Sequence, residues 1–201
     1  MKQARHYRGS LTREQFLFRE IRIVAQMLCE QKNKPQIIEE IMRDNLFQFP
    51  TERMLRSVAE TCFRRIDALD SDTLFYHLAN ASSDIARQIN LYAIMRDNGI
   101  VYDFMTDVIG TKYRTQQLDY SVKDANVFLM KLPEVYPSAG EWADSTRAKL
   151  RQVLTNFLVS CGYLENSRAK RLNPVYLYPE LEDGIRALGD TDAFAAFNYI
   201  L

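Results

Sequence analysis

Residues 145–164 read STRAKLRQVLTNFLVSCGYL. Leu150, Val153, Leu154, Phe157, Leu158 and Cys161 recur at helical intervals, so the stretch reads as an amphipathic helix with one side committed to a core. At about 100° per residue, Ser145, Lys149, Gln152 and Asn156 fall opposite that core, with Arg151 and Thr155 beside them. None of these side chains is acidic. A helix face that meets only water usually mixes both signs of charge, so this one reads as a surface for an anionic partner.

The same periodicity runs through almost the whole chain, and local signals mark its interruptions. Thr12 with Gln15 fits a capping box opening a helix to about Lys32, and Asn33 with Pro35 starts the next, which ends near Asn45. PTER at 50–53 opens a third helix, reaching Leu69. Ser71 or Asp72 caps a short fourth to about Asn80, and Ser82 or Ser83 caps a fifth that stops before Gly99. A sixth runs from Ile100 to about Tyr113. Ser121 with Asp124 is a second capping box, opening a helix that stops at Pro133. The turn-rich EVYPSAG at 134–140 then leads into the 145–161 helix, which Gly162 terminates.

Between Tyr163 and Pro179 short apolar pieces flank NSRAKR at 166–171, the pattern of a small hairpin. Short helices near 179–188 and 191–199 finish the chain. The expected fold is all-α with one small β-hairpin near 163–179, a compact multi-helix protein with two helix-turn-helix-like units. An N-terminal sub-bundle, 1–115, holds one unit near 36–69, and a C-terminal sub-bundle, 116–201, holds a winged-helix-like unit near 121–179.

Composition is that of a globular protein, 47% hydrophobic and 26% charged. Lys plus Arg equals Asp plus Glu at 26 each, so net charge identifies no partner, but its distribution is uneven. Residues 1–22 carry Lys2, Arg5, Arg8, Arg13, Arg19 and Arg22 against Glu14 and Glu20, whereas the acids Glu180, Glu182, Asp183, Asp190 and Asp192 crowd the C-terminal end against Arg186. Cys29, Cys62 and Cys161 lie far apart in apolar helical patterns and read as reduced core residues of a cytoplasmic protein. The longest stretch free of Asp, Glu, Lys and Arg, Gln152 to Leu164, is 13 residues, too short for a bilayer span.

Catalytic and cofactor signatures are lacking. His6 and His77 have no spaced partner for a metal or a catalytic pair, and read as a surface and a core-edge histidine. The scattered glycines form no phosphate-cradling loop, and no serine sits in a GxSxG elbow. The expectation is a protein that is not an enzyme, with no metal and no cofactor. Glu20 and Arg65 both fall on apolar helix faces, which predicts a buried ion pair between the first and third helices.

A basic, amide-bearing helix after a shorter helix and a turn is the arrangement that duplex DNA readers use. Lys and Arg neutralise phosphates, and Gln and Asn make paired hydrogen bonds to adenine edges. The helices from Ser121 and Ser145 fit this, and Arg168, Lys170 and Arg171 fall where a wing would follow the backbone. A second unit joins 36–45 to 51–69, with Arg53, Arg56 and Arg64 on its outer face diluted by Glu52, Glu60 and Asp67. Tyr176 and Tyr178 alternate as packing residues of a strand, which gives single-stranded binding less weight than duplex binding.

Four blocks in order carry a family resemblance: YRGS at 7–10, FLFREIRIVAQML at 16–28, DNLFQFPTER at 44–53 and DSTRAKLRQVLTNFLVSCGYL at 144–164. With them the chain resembles BrxA, the small all-helical component of BREX (bacteriophage exclusion) defence systems. The resemblance implies a non-enzymatic, DNA-binding part of a phage-resistance and DNA-modification system, with helix-turn-helix elements beside positive surface. Taken with spacing and charge, it makes Arg53, Arg56, Arg147, Lys149, Arg151, Gln152, Asn156, Arg168, Lys170 and Arg171 the candidate DNA contacts. The expected partners are double-stranded DNA and other BREX proteins, not a membrane, and the expected state is a monomer. The alternatives are an interaction scaffold within the defence complex, or an RNA-binding helical protein.

Overall fold

A computed structural model describes residues 5–199; Lys2, counted above in the basic N-terminus, lies outside them. The helices are α1 (Phe18–Cys29), α2 (Lys34–Asp44), α3 (Glu52–Leu69), α4 (Asp72–Asn80) and α5 (Ser83–Asp97). Then come α6 (Gly99–Asp103), a π-helical stretch Phe104–Ile109, α7 (Gly110–Arg114), α8 (Val122–Lys131), α9 (Asp144–Ser160) and α10 (Pro179–Ala187). Tight 3-10 turns occupy Gly9–Arg13, Leu132–Glu134, Pro137–Glu141 and Thr191–Phe197. The all-α expectation holds.

Most predicted starts are made by the predicted caps. Asn33 and Gln36 close one capping box and Ser121 and Asp124 another, while Thr51 and Ser71 accept from Met54 N and Leu74 N. Helix α5 is the centre of the fold: Ile89 to Met95 are all buried, and α3 and α4 pack on it. A stretch buried on every side has no outer face to give to water, and its amide side chain, Asn90, donates within the core to Phe16 O. Leu181 and Ile185 of α10 join the same core, and Gly184 lets α10 approach α4 so closely that an added Cβ would lie 2.4 Å from Leu74 Cδ2.

Six expectations need correction. The first helix begins at Phe18, not after Thr12, with Leu17 in the left-handed region at φ 51°. Its start is delayed by buried donors from elsewhere in the chain: Arg65 Nη1 donates to the carbonyl oxygens of Gln15 at 2.9 Å and Phe16 at 3.4 Å, and Asn90 Nδ2 to that of Phe16 at 2.8 Å. Carbonyls claimed in this way are drawn out of the helical ladder.

The carboxylate facing Arg65 is Glu14, at 3.5 Å, and not Glu20, which is half-exposed in the first turn of α1. Glu14 and Asp97 also bind Arg64 at 2.7 and 2.8 Å, which removes Arg64 from the outer face of α3. Burial pulls the Arg65 guanidinium below its ordinary value, with Glu14 acting against it.

No hairpin forms within 163–179. Among the described residues the bridge there pairs Asp119 with Arg171, because the backbone of 170–172 bonds to 118–120, and the bond of Asn173 N to Tyr163 O closes a loop without forming a ladder. Tyr176 is accordingly exposed, not packed in a strand. Of the cysteines, Cys62 is buried, with burial pushing its thiol up to about 12, whereas Cys29 is exposed and not a core residue.

The segment before α1 is strapped across the junction of α5 and α6. Arg5 and Tyr7 both reach Asp103, Arg8 reaches Asp97 at 2.5 Å, and Gly99 N donates to His6 O at 2.8 Å. Tyr7 stacks on Tyr136, which meets Trp142 edge-on, so the strap also grips the connector between α8 and α9.

Candidate nucleic-acid interface

Helix α9 buries the predicted stripe, Leu150, Val153, Leu154, Phe157 and Leu158. Ser145, Lys149, Gln152 and Asn156 face outward as expected, and Lys149 Nζ donates to Gln152 Oε1 at 3.0 Å. Thr155 does not share that face: it is buried against Tyr120, whose hydroxyl lies 3.3 Å from Thr155 Oγ1. Arg151 is half-buried, with Nη1 donating to Asn126 Oδ1 of α8 at 2.7 Å. Arg147 also turns inward in part, bonding the carbonyl oxygen of Gly140 at 3.3 Å.

Gly162, at φ 76°, ends α9 in the left-handed conformation, and Tyr163 N returns to Leu158 O at 2.8 Å. The chain reverses there, burying Tyr163 and Leu164 and sending Glu165–Arg168 outward. Asn173 closes this loop, its N–H donating to Tyr163 O at 2.9 Å and its Nδ2 to Gly162 O at 3.0 Å. Arg168, Lys170 and Arg171 are exposed on it, and among the described residues none of them makes an ion pair.

Tyr120 brings the loop and the helix together. Its N–H donates to Lys170 O at 2.9 Å while its ring and hydroxyl sit against Thr155, the neighbour of Asn156. Asp119 is bridged to Arg171 in the same place, and Lys112 holds both Asp119 O at 2.6 Å and Asp124 at 2.8 Å. Burial would push the Asp124 carboxyl up, but Lys112 and the Ser121 backbone N–H outweigh it and hold the group below its usual range. Residues 144–171 carry Arg147, Lys149, Arg151, Arg168, Lys170 and Arg171 against Asp144 and Glu165, and the Tyr120 junction brings the loop at Lys170 beside Thr155 of α9.

Sequence reasoning missed Tyr120, Asn126 and Lys112. Tyr120 had a signal, an aromatic residue next to the Ser121 cap; the roles of Asn126 and Lys112 arise only when α8 is docked on its neighbours. The connector from Leu132 to Ala143 holds two 3-10 turns and is longer than the ~3–4-residue turn of a compact helix-turn-helix.

Arg53 and Arg56 are exposed on α3, with Arg56 Nη2 3.4 Å from Met42 Sδ. The fold does not join them to the α9 set: α3 packs on α1, α2, α4 and α5, whereas α9 packs on α8 and the Gly9–Arg13 turn. The basic N-terminus is largely committed to the fold, since Arg19 donates to Leu46 O and Arg22 to Ala79 O and Ala81 O, alongside the strap bonds of Arg5 and Arg8. Among the described residues no cluster of His, Cys, Asp and Glu is arranged to hold a metal, and no helix is long and apolar enough to cross a membrane.

The family model described as BrxA matches residues 5–189. A Bacillus cereus (strain H3081.97) protein described as BREX protein BrxA is 27% identical over 185 residues, covering 92% of this chain and 92% of that protein. An Escherichia coli O9:H4 (strain HS) protein of the same description is 25% identical over 192 residues, covering 96% of this chain and 90% of its own length. The crystal structure of an uncharacterized protein from Magnetospirillum magneticum has the same fold, with a TM-score of 0.80 at 22% identity over 95% of this chain and 97% of that one.

Proposed function

The chain belongs to the BrxA family, and from that premise we propose that it is a cytoplasmic, non-enzymatic accessory component of a BREX-type phage-defence system that binds double-stranded DNA. The relatives' description as BREX proteins supports the system. The observation that carries the DNA reading is the junction at Tyr120, which sets the unpaired cations of the 168–171 loop beside the amide-bearing end of α9.

On this reading Lys149, Arg168, Lys170 and Arg171 neutralise phosphates, and Gln152 and Asn156 are the groups within reach of base edges. Arg147 and Arg151, held by Gly140 and Asn126, position the helix more than they bind. Arg53 and Arg56 form a separate contact that one duplex meets only by passing both faces. A formal net charge of +0 means that affinity comes from this local concentration of cations, so binding is salt-sensitive and modest in sequence preference.

The test is a titration against a fluorescent random-sequence duplex across a series of salt concentrations, repeated with Arg168→Ala, Lys170→Ala and Arg171→Ala combined. At ~0.9 per phosphate contact, losing these three flattens the log–log salt slope by about 2.7. An unchanged slope in the folded variant moves the site elsewhere. No binding by the folded parent protein at low salt ends the DNA reading in favour of a scaffold.

A further inference from the structure

Helix α8 is seated firmly, yet its outer side is apolar. Ala125 and Leu129 are buried, Phe128 packs edge-on to Phe104 at 5.5 Å, Asn126 holds Arg151 and Asp124 holds Lys112. On the opposite side Val127 is 52% and Met130 71% exposed, and Val135 in the following turn is 61% exposed. Lys123 and Lys131 flank Val127 and Met130, both exposed. Among the described residues neither lysine makes an ion pair. Glu134, also exposed, is the acid beyond Lys131.

A solvated helix face normally pairs its cations with acids at i+4 and carries polar residues between them. Here residues 123, 127, 130 and 131 form one stripe of cation, two apolar groups, and cation. Duplex DNA does not match it, because Val127 and Met130 lie between the lysines and gain nothing from phosphate. The two ammonium groups are eight residues apart, about 12 Å along a helix at ~1.5 Å per residue. That spacing fits carboxylates two turns apart on a second helix, with aliphatic side chains between them filling the strip over Val127 and Met130.

We propose that the outer face of α8 is a docking surface for an acidic amphipathic helix of a protein partner. Complementary charge selects the partner and sets its direction, and apolar burial over Val127 and Met130 holds it. The stripe borders the α9 face through Asn126, which holds Arg151, but shares none of the side chains assigned above to phosphates or base edges.

The probe is a fluorescein-labelled helical peptide with a leucine stripe flanked by glutamates, titrated by anisotropy into the full chain. A second peptide with lysines in place of the glutamates is the control. Saturable binding of the acidic probe is expected, weakened roughly tenfold or more by Val127→Asp with Met130→Asp. Lys123→Glu with Lys131→Glu is expected to reverse the preference between the probes. In both variants the urea midpoint and the duplex titration stay at the parent values, which keeps this result independent of the DNA reading. No saturation by ~100 µM probe, or equal binding of the two probes, overturns the proposal. So does concentration-dependent sedimentation that Val127→Asp with Met130→Asp abolishes, which assigns the face to a second copy. Displacement of the acidic probe by random duplex assigns it to nucleic acid and likewise overturns it.

Discussion

Replacing Arg65 by Met removes a cation that is 0% exposed while keeping a side chain of similar length. The cost follows from what remains behind. Glu14 keeps Arg64 at 2.7 Å, so it does not become a lone buried charge, and Phe16 O keeps Asn90. Gln15 O loses its Arg65 donor, an orphaned acceptor worth about 1–3 kcal/mol. Breaking a buried pair outright costs about 3–5 kcal/mol, but the surviving Arg64 brings the Glu14 share well below that. Against both stands a gain, because Arg65 Nε and Nη2 have no hydrogen-bond partner and a thioether leaves nothing polar in their place.

The balance is a loss of about 2–3 kcal/mol. For a chain of 201 residues that lowers Tm by about 4–12 °C, at ~2–4 °C per kcal/mol. Urea unfolding followed by far-UV circular dichroism measures the difference directly, with the slope against denaturant checked for constancy. Arg65→Met combined with Glu14→Gln should cost less than the sum of the single changes, since the two groups share one cluster. A midpoint unchanged or raised by Arg65→Met would refute the reasoning, because it would mean that Arg65 is a tolerated burden and not the group that organises residues 14–17.

Asp124→Asn removes the carboxylate that Lys112 and the Ser121 N–H hold below 3.8, its ordinary value. A depressed carboxyl contributes stability above its unfolded pKa and loses it as pH falls through the folded one. The variant should therefore be less stable by about 0.5–1 kcal/mol at neutral pH, modest because water reaches the group. The gap should close below pH 3.8 in an acid titration of unfolding midpoints; a pH-independent gap contradicts the assignment. Gly184→Ala gains about 1 kcal/mol of helix preference, but its Cβ would meet Leu74 Cδ2 at 2.4 Å and Cγ at 2.5 Å. Leu74 is fully buried, so overpacking of about 1–3 kcal/mol should win. Thermal unfolding should show a lowered midpoint, and Leu74→Ala should cost less in that background than its usual ~2–5 kcal/mol.

The caps at Asn33, Thr51, Ser71 and Ser121 were legible in the sequence because each is a hydrogen bond closed within a few residues, and so was the apolar stripe of α9. The all-α class followed from such local patterns, the abundance of cations from Arg147 to Arg171 from composition, and the family from a resemblance carried by four blocks of sequence. Only the tertiary structure decided which polar side chains are free. Arg151 is claimed by Asn126 and Arg64 by Glu14 and Asp97, while Thr155 turns to Tyr120, each a partner 25 or more residues away. The start of α1 departs from its local signal for the same reason, since the donors that take the Gln15 and Phe16 carbonyls come from α3 and α5. The 163–179 segment forms its bridge with 118–120 and no hairpin of its own, because Gly162 turns it back toward the start of α8. Periodicity and caps record what a residue does within one or two turns of chain; a buried donor or a free surface cation is defined by what packs against it, and that is settled only when distant segments meet.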